Sequence, residues 1–478
     1  MAATVRDQSA VVAEMAKPWP MADALVGGTG AMRTAGKAFL PKFPAEDDQS
    51  YKDRLACATL FPAFSRTAEV LAAKPMSKAI DLDGFPAELE PLLESIDGEG
   101  STLHAYASTL LLACLQYGLV GVLVDCPPAP DVRTKADEDA AGIRPYLNTY
   151  AAKSILGWRQ DGEYLTQLRL LENVTEPDGD FGEKQIEQVR VLTPGAWQIW
   201  RLVKGADGRE VWMVHDEGVT SLDVIPFVWF YGVRQGFGIG KPPLLDLAYL
   251  NVEHWQSASD QQTILHTARV PILFFKGLEE TDQVSVGASA FIRATSKEAD
   301  GKYIEHSGAA IDAGRQSILD IEERMRMTGA ELLVQYSVSV TATQSIGESE
   351  ASKSILQRIC ENFEESLEEA IELMGRWVGL NFDAEVELFK DFGAKSLSDQ
   401  STVALIQAES AGIVSKQTVF ESLKRRDLIP QETTWEDESK RISAAQALDQ
   451  NAAQPPTKIP PRENGDDGAV TGSDQQAE

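Results

Sequence analysis

Histidine and cysteine are scarce in this chain, at five and four among 478 residues. The histidines, His104, His215, His254, His266 and His306, show no metal spacing such as HExxH, so each reads as a surface or satisfied core residue. The cysteines Cys57, Cys114, Cys126 and Cys360 form no CxxC or other short metal pair and lie in apolar segments. Reduced core cysteines behave this way, and they fit a reducing cytoplasm. Basic charge is also in short supply: 44 Lys and Arg stand against 73 Asp and Glu, for a net charge of -29. Gripping nucleic acid relies on Lys and Arg to displace counterions, so this balance argues against a tight nucleic-acid binder, though not against a surface that nucleic acid passes without sticking. No run of about 18 uncharged apolar residues occurs, and Met1 to Met15 carries Arg6, Asp7 and Glu14 where a signal peptide needs an apolar core. A soluble protein without an export signal is expected.

A hydrophobic content of 43% over this length is enough for a large core and two to four domains. Residues 1–40 read as an arm, with a short helix over Val5 to Ala16 that Pro18 and Pro20 end, then the flexible Gly27-Gly28-Thr29-Gly30. Tyr51 to Lys74 reads as a helix kinked or restarted at Pro62. Asp81-Leu82-Asp83-Gly84 opens like a calcium loop, but position twelve is Leu92 and not Glu, so a turn is expected. Ser101 to Tyr117 is a buried helix closed by Gly118, and Leu119 to Val124 a buried strand. From Arg144 to Arg234 the period falls to two. Strands over Leu165 to Val174, Gln185 to Leu192, Trp197 to Val203, Val211 to His215 and Ile225 to Tyr231 predict an antiparallel meander.

Two tempting motifs fail on chemistry. In Gly236-Phe237-Gly238-Ile239-Gly240-Lys241, Gln235 stands where a phosphate loop needs Gly and Pro242 where it needs a magnesium-binding hydroxyl. Asp391-Phe392-Gly393 matches a kinase triplet without the catalytic-loop His-Arg-Asp that should precede it. Pro243 to Ala268 predicts a long helix whose many polar positions suit packing between subunits. Ile272 to Phe275 reads as a strand, Glu279 to Ala310 as a compact α/β insertion, and Ile318 to Leu333 as a second long helix. Two helices flanking a small module have the layout of a stalk with a tip.

The uncharged linker Gln335 to Gln344 then feeds a helix over Ser345 to Gly379, with a capping-box spacing at Ser345 and Glu348. Ile355, Ile359, Phe363, Leu367, Ile371, Met374 and Val378 form its apolar stripe, and Glu361, Glu364, Glu365, Glu368, Glu369 and Glu372 its acidic face. Asn381 to Asp391 alternates as a strand. Ser398 and Ser415 each cap a helix, the second running from Lys416 to about Arg426, and Ser443 onward has the composition of a disordered tail.

In their order along the chain, several segments resemble portal proteins of tailed bacteriophages. They are Leu40-Pro41, Tyr51-Lys52-Asp53-Arg54-Leu55 and Phe64-Ser65-Arg66-Thr67, then Gly118 to Pro127, Arg144-Pro145-Tyr146, Ile155 to Trp158 and Ile225-Pro226-Phe227. Pro242 to Ala248 with Asn251, Ala411 to Ser415, Thr418, Leu423, Arg425 and Ile429-Pro430 complete the set. The resemblance runs from about residue 40 to about 440 and is to a divergent branch often described only as of unknown function.

The resemblance implies an α+β portal fold in a ring oligomer of twelve subunits. Its parts would be an N-terminal arm (1–40), a mixed α/β wing (41–240), a two-helix stem (241–271 and 315–333) around a small α/β clip (272–314), a tunnel loop (334–344), a long tunnel-side helix (345–380), a wing return with a small helical crown (381–442) and an acidic tail (443–478). Implied too are a place at one capsid vertex of a virion assembled in the host cytoplasm, and a conduit for genome packaging and ejection. The partners would be copies of itself, a large terminase, the major capsid or scaffolding protein, a head-tail adaptor and double-stranded DNA passing non-specifically, with no membrane, no cofactor and no catalysis of its own. Tyr336, Ser337, Ser339, Thr341, Thr343 and Gln344 would line the channel beside the six glutamates, which alternatively meet Arg324 and Arg326 of a neighbour. Glu279, Glu280 and Asp282 would contact the clip partner. Two other readings are a hydrolase-like enzyme with a site near His215 and Asp216 in the 144–234 meander, and another virion adaptor ring.

Overall fold

A computed structural model of the chain describes residues 4–127, 143–205, 208–268, 272–276, 300–304, 309–333, 353–392, 415–425, 429 and 433–442. It divides into two units, Met1–Gly393 and Ala394–Glu478.

The first unit opens with three short helices, α1 (Ala10–Met15), α2 (Trp19–Val26) and α3 (Gly28–Ala35). They are not a free arm, because Val12, Trp19, Leu25 and Met32 are buried in the core. Pro20 does not end a helix but lies in the first turn of one, where its missing N–H costs nothing. Ser9 caps α1 by accepting from the Val12 amide. Pro62 restarts the chain, so the expected Tyr51 to Lys74 helix becomes α4 (Asp48–Cys57) and α5 (Ala63–Ala73). Arg54 on α4 is buried and donates from Nε and Nη2 to Glu46, at 2.8 and 2.9 Å, and from Nη2 to the Pro41 carbonyl. Such a fork-to-carboxylate pair carries more than a single ion contact.

The first strand, β1 (Asp81–Asp83), is followed by α6 (Leu103–Tyr117), which ends at Gly118 with φ +83°. A β-carbon at Gly118 would lie 2.3 Å from the Pro242 nitrogen. Only glycine satisfies both the left-handed turn and that approach. The strand β2 (Leu119–Asp125) is central in a three-stranded antiparallel sheet, between β3 (Tyr146–Ala151) and a later strand.

The meander is β4 (Ile155–Asp161), β5 (Tyr164–Asp178), β6 (Gly182–Thr193), β7 (Ala196–Lys204) and β8 (Glu210–Val219), paired in that order. Its membership differs from the expectation at both ends. Ile155–Asp161 joins it, whereas β9 (Phe227–Tyr231), every residue of which is buried, leaves to pair with β2. Although β9 is an edge strand of the β2 sheet, both its faces are covered, Val228 and Phe230 in one core cluster and Phe227, Trp229 and Tyr231 in another. The Gly236 to Lys241 stretch forms a small hairpin of β10 (Val233–Gly236) and β11 (Ile239–Lys241).

The helix α7 (Leu245–Ala268) begins just after Pro242 and Pro243. The strands β12 (Ile272–Lys276) and β13 (Asp300–Ile304) pair antiparallel, and α8 (Ala309–Glu331) starts nine residues earlier than its periodicity predicts. Gln261 donates to the Ile311 carbonyl at 2.9 Å, His254 lies 3.3 Å from Glu322, and Arg324 pairs with Glu253 at 2.9 Å. These contacts run in opposite directions along the two helices, which therefore pack antiparallel. Asn251 of α7 is fully buried and bridges the α5 entrance, donating to the Phe61 carbonyl and accepting from the Phe64 amide. It satisfies an amide that would otherwise be orphaned at the helix start.

The acidic helix α9 spans Ile355–Trp377 and β14 spans Glu385–Glu387, shorter than the alternation from Asn381 to Asp391 implies. Asp81–Asp83, expected as a turn, pairs antiparallel with β14, and the turn proper is Gly84. In the second unit, Ser415 accepts from the Thr418 amide and caps α10 (Lys416–Arg425), and Phe420 packs its ring 5.5 Å from that of Trp435. The helix expected from Ser398 and the tail lie outside the described residues, as do residues 128–142.

The acidic helix and its cleft as the candidate functional site

Ser354 and Gln357 close a capping box at the start of α9: the Ser354 hydroxyl accepts from the Gln357 amide and the Gln357 side chain accepts from the Ser354 amide. The box expected at Ser345 and Glu348 lies outside the described residues, so the described helix begins nine residues later. The Leu356 amide donates to the Leu332 carbonyl at 3.0 Å, which ties this start to the end of α8. Along its apolar face Leu356, Ile359, Phe363, Leu367, Ala370, Ile371 and Met374 are buried. Of the predicted stripe, Val378 does not belong: it follows the helix and is 47% exposed. Phe363 meets Phe230 of β9 edge to face at 5.0 Å, and Ser366 donates to the Trp229 carbonyl at 2.9 Å. At the far end the Trp377 indole donates to the Val124 carbonyl of β2. The helix is thereby fixed across the three-stranded sheet.

The six glutamates divide into two groups with different surroundings. Glu364, Glu368 and Glu372 accept backbone amides from Leu388, Val386 and Ala384, at 2.6, 2.9 and 3.4 Å. The geometry follows from two repeats that nearly coincide. Four helical residues rise about 6 Å, and two strand residues advance about 6.6 Å. Glutamates at i, i+4 and i+8 therefore meet every second amide of an antiparallel strand. One edge of β14 is paired with β1, and these carboxylates occupy amides along the chain on its other side. Glu364 is 7% exposed and also binds Lys390 at 2.8 Å. Burial pushes its carboxyl above the usual range, while the Lys390 hydrogen bond and the Leu388 amide pull the other way.

The second group looks outward. Glu361 pairs with Lys353 at 2.8 Å, whereas Glu365 and Glu369 are exposed. Protein crowding the flanks of Glu369 raises its carboxyl, Arg376 opposes that shift, Glu372 adds to it and Arg234 opposes it. Glu365 and Glu369 stand on one wall of a cleft of about 720 Å³. Asp161, Glu163 and Asp223 add three more acids to its lining, Arg234 and Arg376 two cations, and Phe227, Trp229, Tyr231 and Phe237 an aromatic floor. The arrangement can hold a cationic or aromatic-packing group. Among the described residues that line it there is no nucleophile–base pair.

A second cleft, about 560 Å³, lies on the meander and includes His215, Asp216, Cys126, Arg190 and Arg201. His215 is the extra residue of a bulge, since Ile199 pairs with Asp216 and Trp200 with Val214. Both His215 and Asp216 are exposed. Arg190 is committed to Asp125 and Glu172, each at 2.7 Å, and Arg201 to Glu176 at 2.7 Å. Among the described residues no three His, Cys, Asp or Glu side chains are placed to hold a metal ion, and no helix is long and apolar enough to cross a membrane.

Sequence reasoning placed the glutamates on a helix face but missed their acceptor roles, Lys390, and the opposite wall of the cleft at Glu163 and Asp223. The signal was present: Ala384, Val386 and Leu388 share one parity, as Glu364, Glu368 and Glu372 share one helical row. Arg324 and Arg326 have partners in their own chain, Glu253 and Glu323. The channel residues Tyr336, Ser337, Ser339, Thr341, Thr343 and Gln344 and the clip residues Glu279, Glu280 and Asp282 lie outside the described residues.

No curated protein matches the chain. Among solved structures it is similar to a chain in the neck of a native GTA particle computed with C12 symmetry, at 13% identity and a TM-score of 0.40 over 75% of this chain and 88% of that one. A chain in the neck of the empty GTA particle, computed with C6 symmetry, gives 12% and 0.41 over the same shares. One from the virion of the native gene transfer agent gives 11% and 0.40 over 81% and 96%. A family model described as a domain of unknown function, DUF4055, matches residues 243–378, the span from the start of the helical hairpin to the end of the acidic helix.

Proposed function

We propose that the chain is a portal-type subunit: a homo-oligomeric ring, twelve copies in its expected form, set at one capsid vertex, through which double-stranded DNA passes during packaging and ejection. The observation that carries this reading is the antiparallel pair α7 and α8, of 24 and 23 residues, joined through the paired strands β12 and β13. A stalk of this kind leaves apolar side chains uncovered: Tyr249, Leu319 and Met327 are 58%, 45% and 65% exposed. Neighbouring stalks in a ring would cover them.

In this reading β12 and β13 belong to the clip, where Glu279, Glu280 and Asp282 contact a large terminase and later a head-tail adaptor. Residues 334–344 form the tunnel loop. Tyr336, Ser337, Ser339, Thr341, Thr343 and Gln344 touch the phosphate backbone through exchangeable hydrogen bonds, without ion pairs that would hold DNA still. The acidic helix stands beside that loop, and of its six glutamates Glu365 and Glu369 are the two left exposed. A negative wall of this kind acts only at close range, since salt screens it beyond about 8 Å. The protein performs no catalysis in this reading, and the energy for packaging comes from the terminase.

The test is negative-stain imaging and native mass measurement across a concentration series, with and without scaffolding protein. Rings with a central hole are expected. A monomer under every condition overturns the reading. Deleting Tyr336 to Thr343 is expected to spare ring formation and impair packaging or genome retention. Normal packaging and retention would refute the tunnel-loop assignment.

A further inference from the structure

The cleft beside α9 combines two features that together describe an occupant. Its lining is acidic from two stretches of the chain, Glu163 and Asp223 from one and Glu365 and Glu369 from the other. Its floor is aromatic, with Phe237 half-buried and Tyr164, 72% exposed, at the edge. Phe227, Trp229 and Tyr231 lie beneath these two rings and are buried. An aromatic, acid-rimmed groove of this kind suits an extended segment that carries Lys or Arg next to proline. Proline packs flat on aromatic rings and the cations meet the rim.

The chain itself contains one such segment, Pro455-Pro456-Thr457-Lys458-Ile459-Pro460-Pro461-Arg462. It has four prolines, two cations and no acid, in a protein whose net charge is -29. The cleft lining, with five carboxylates against two guanidiniums, is complementary to it. Proline also fixes φ near -65°, so a peptide of this composition gives up little freedom on binding.

We propose that the cleft of one copy binds residues 455–462 of a second copy. Lys458 and Arg462 pair with the acidic rim and the prolines pack on the aromatic floor. Within the ring reading this contact links subunits, and it takes Glu365 and Glu369 out of the channel wall and into that link. The binding step needs only two copies, so it stands or falls separately from ring formation.

The probe is a fluorescein-labelled peptide of residues 453–464, titrated into the full-length protein carrying K458A and R462A so that its own segment does not compete. Saturable binding is expected. It should weaken at least about threefold when Glu163→Gln and Asp223→Asn remove two rim charges, and by a similar factor for a peptide with both cations replaced by alanine. Raising salt to 0.5 M should also weaken it. Circular dichroism of the doubly neutralised protein checks its fold, and the altered peptide tests the same pairs on an unaltered cleft. Sedimentation of the same samples reports oligomeric state independently. No saturable binding, or binding that neither the rim substitutions nor the altered peptide weakens, overturns the proposal.

Discussion

Replacing Glu368 by alanine isolates the central rung of the carboxylate ladder between α9 and β14. The Val386 amide donates to Glu368 Oε1 at 2.9 Å, and Val386 is 5% exposed. Truncation removes a charge-assisted bond and leaves that amide without its acceptor. Such bonds contribute about 1.5–3 kcal/mol. Glu368 is half-buried, so water recovers part of the loss and the low end, about 1.5 kcal/mol, is expected. Glu372→Ala should cost less, because its bond to Ala384 is 3.4 Å long. Glu364→Ala should cost most, near the upper end at about 3 kcal/mol, since it leaves the Leu388 amide of a buried residue without its acceptor and also removes the partner of the half-buried Lys390. Glu368→Gln keeps an acceptor and should recover about half of the alanine loss. Native-state hydrogen exchange reads the effect locally: the opening free energy at the 386 amide should fall by the stated amount, with residues 119–125 of the central strand unchanged. Unchanged protection at 386 in Glu368→Ala would refute the ladder, as would uniform loss across the unit.

Four further outcomes follow. Glu46 is held below the ordinary carboxyl value of 4.5, first by the Arg54 hydrogen bond, so its contribution is complete above that value and is lost as pH falls through the lower folded one. Arg54→Ala should therefore flatten the acid side of the stability profile measured by urea unfolding. Glu364 and Glu369 are raised and act in the opposite sense, stability falling as pH climbs from 4.5 through their folded values, so Glu364→Gln should remove part of that decline. Cys57 is exposed whereas Cys114 and Cys360 are buried with their thiols pushed up by burial, so a thiol reagent should label Cys57 at once and those two only on unfolding. Gly118→Ala combines a left-handed φ with a 2.3 Å clash and should cost more than about 2 kcal/mol in thermal unfolding, visible as lost expression if the fold fails.

The contrast between the two kinds of helix face explains which features could be read from the chain. Leu110, Leu111 and Leu115 of α6 and Ile359, Phe363, Leu367 and Ile371 of α9 repeat at helical spacing and are all buried, because burying an apolar stripe is decided by the helix alone. Helix ends were legible where a local residue dictates them, as at Gly118 and Ser415. What a polar face meets is settled by other parts of the chain. The glutamates of α9 form one acidic run in sequence, yet 364, 368 and 372 face strand amides twelve to twenty-four residues away, while 365 and 369 face a cleft whose other wall comes from residues 161–234. The same limit misplaced β9: Phe227 to Tyr231 reads as one more strand of the meander, and only its pairing with Leu119–Leu123 shows that it belongs to another sheet. That pairing has a consequence for the site. It puts Trp229 and Tyr231 under Ser366 and Glu369, so the cleft exists because β9 left the meander, and a change that restored β9 to that sheet would remove the cleft floor while leaving every glutamate in place.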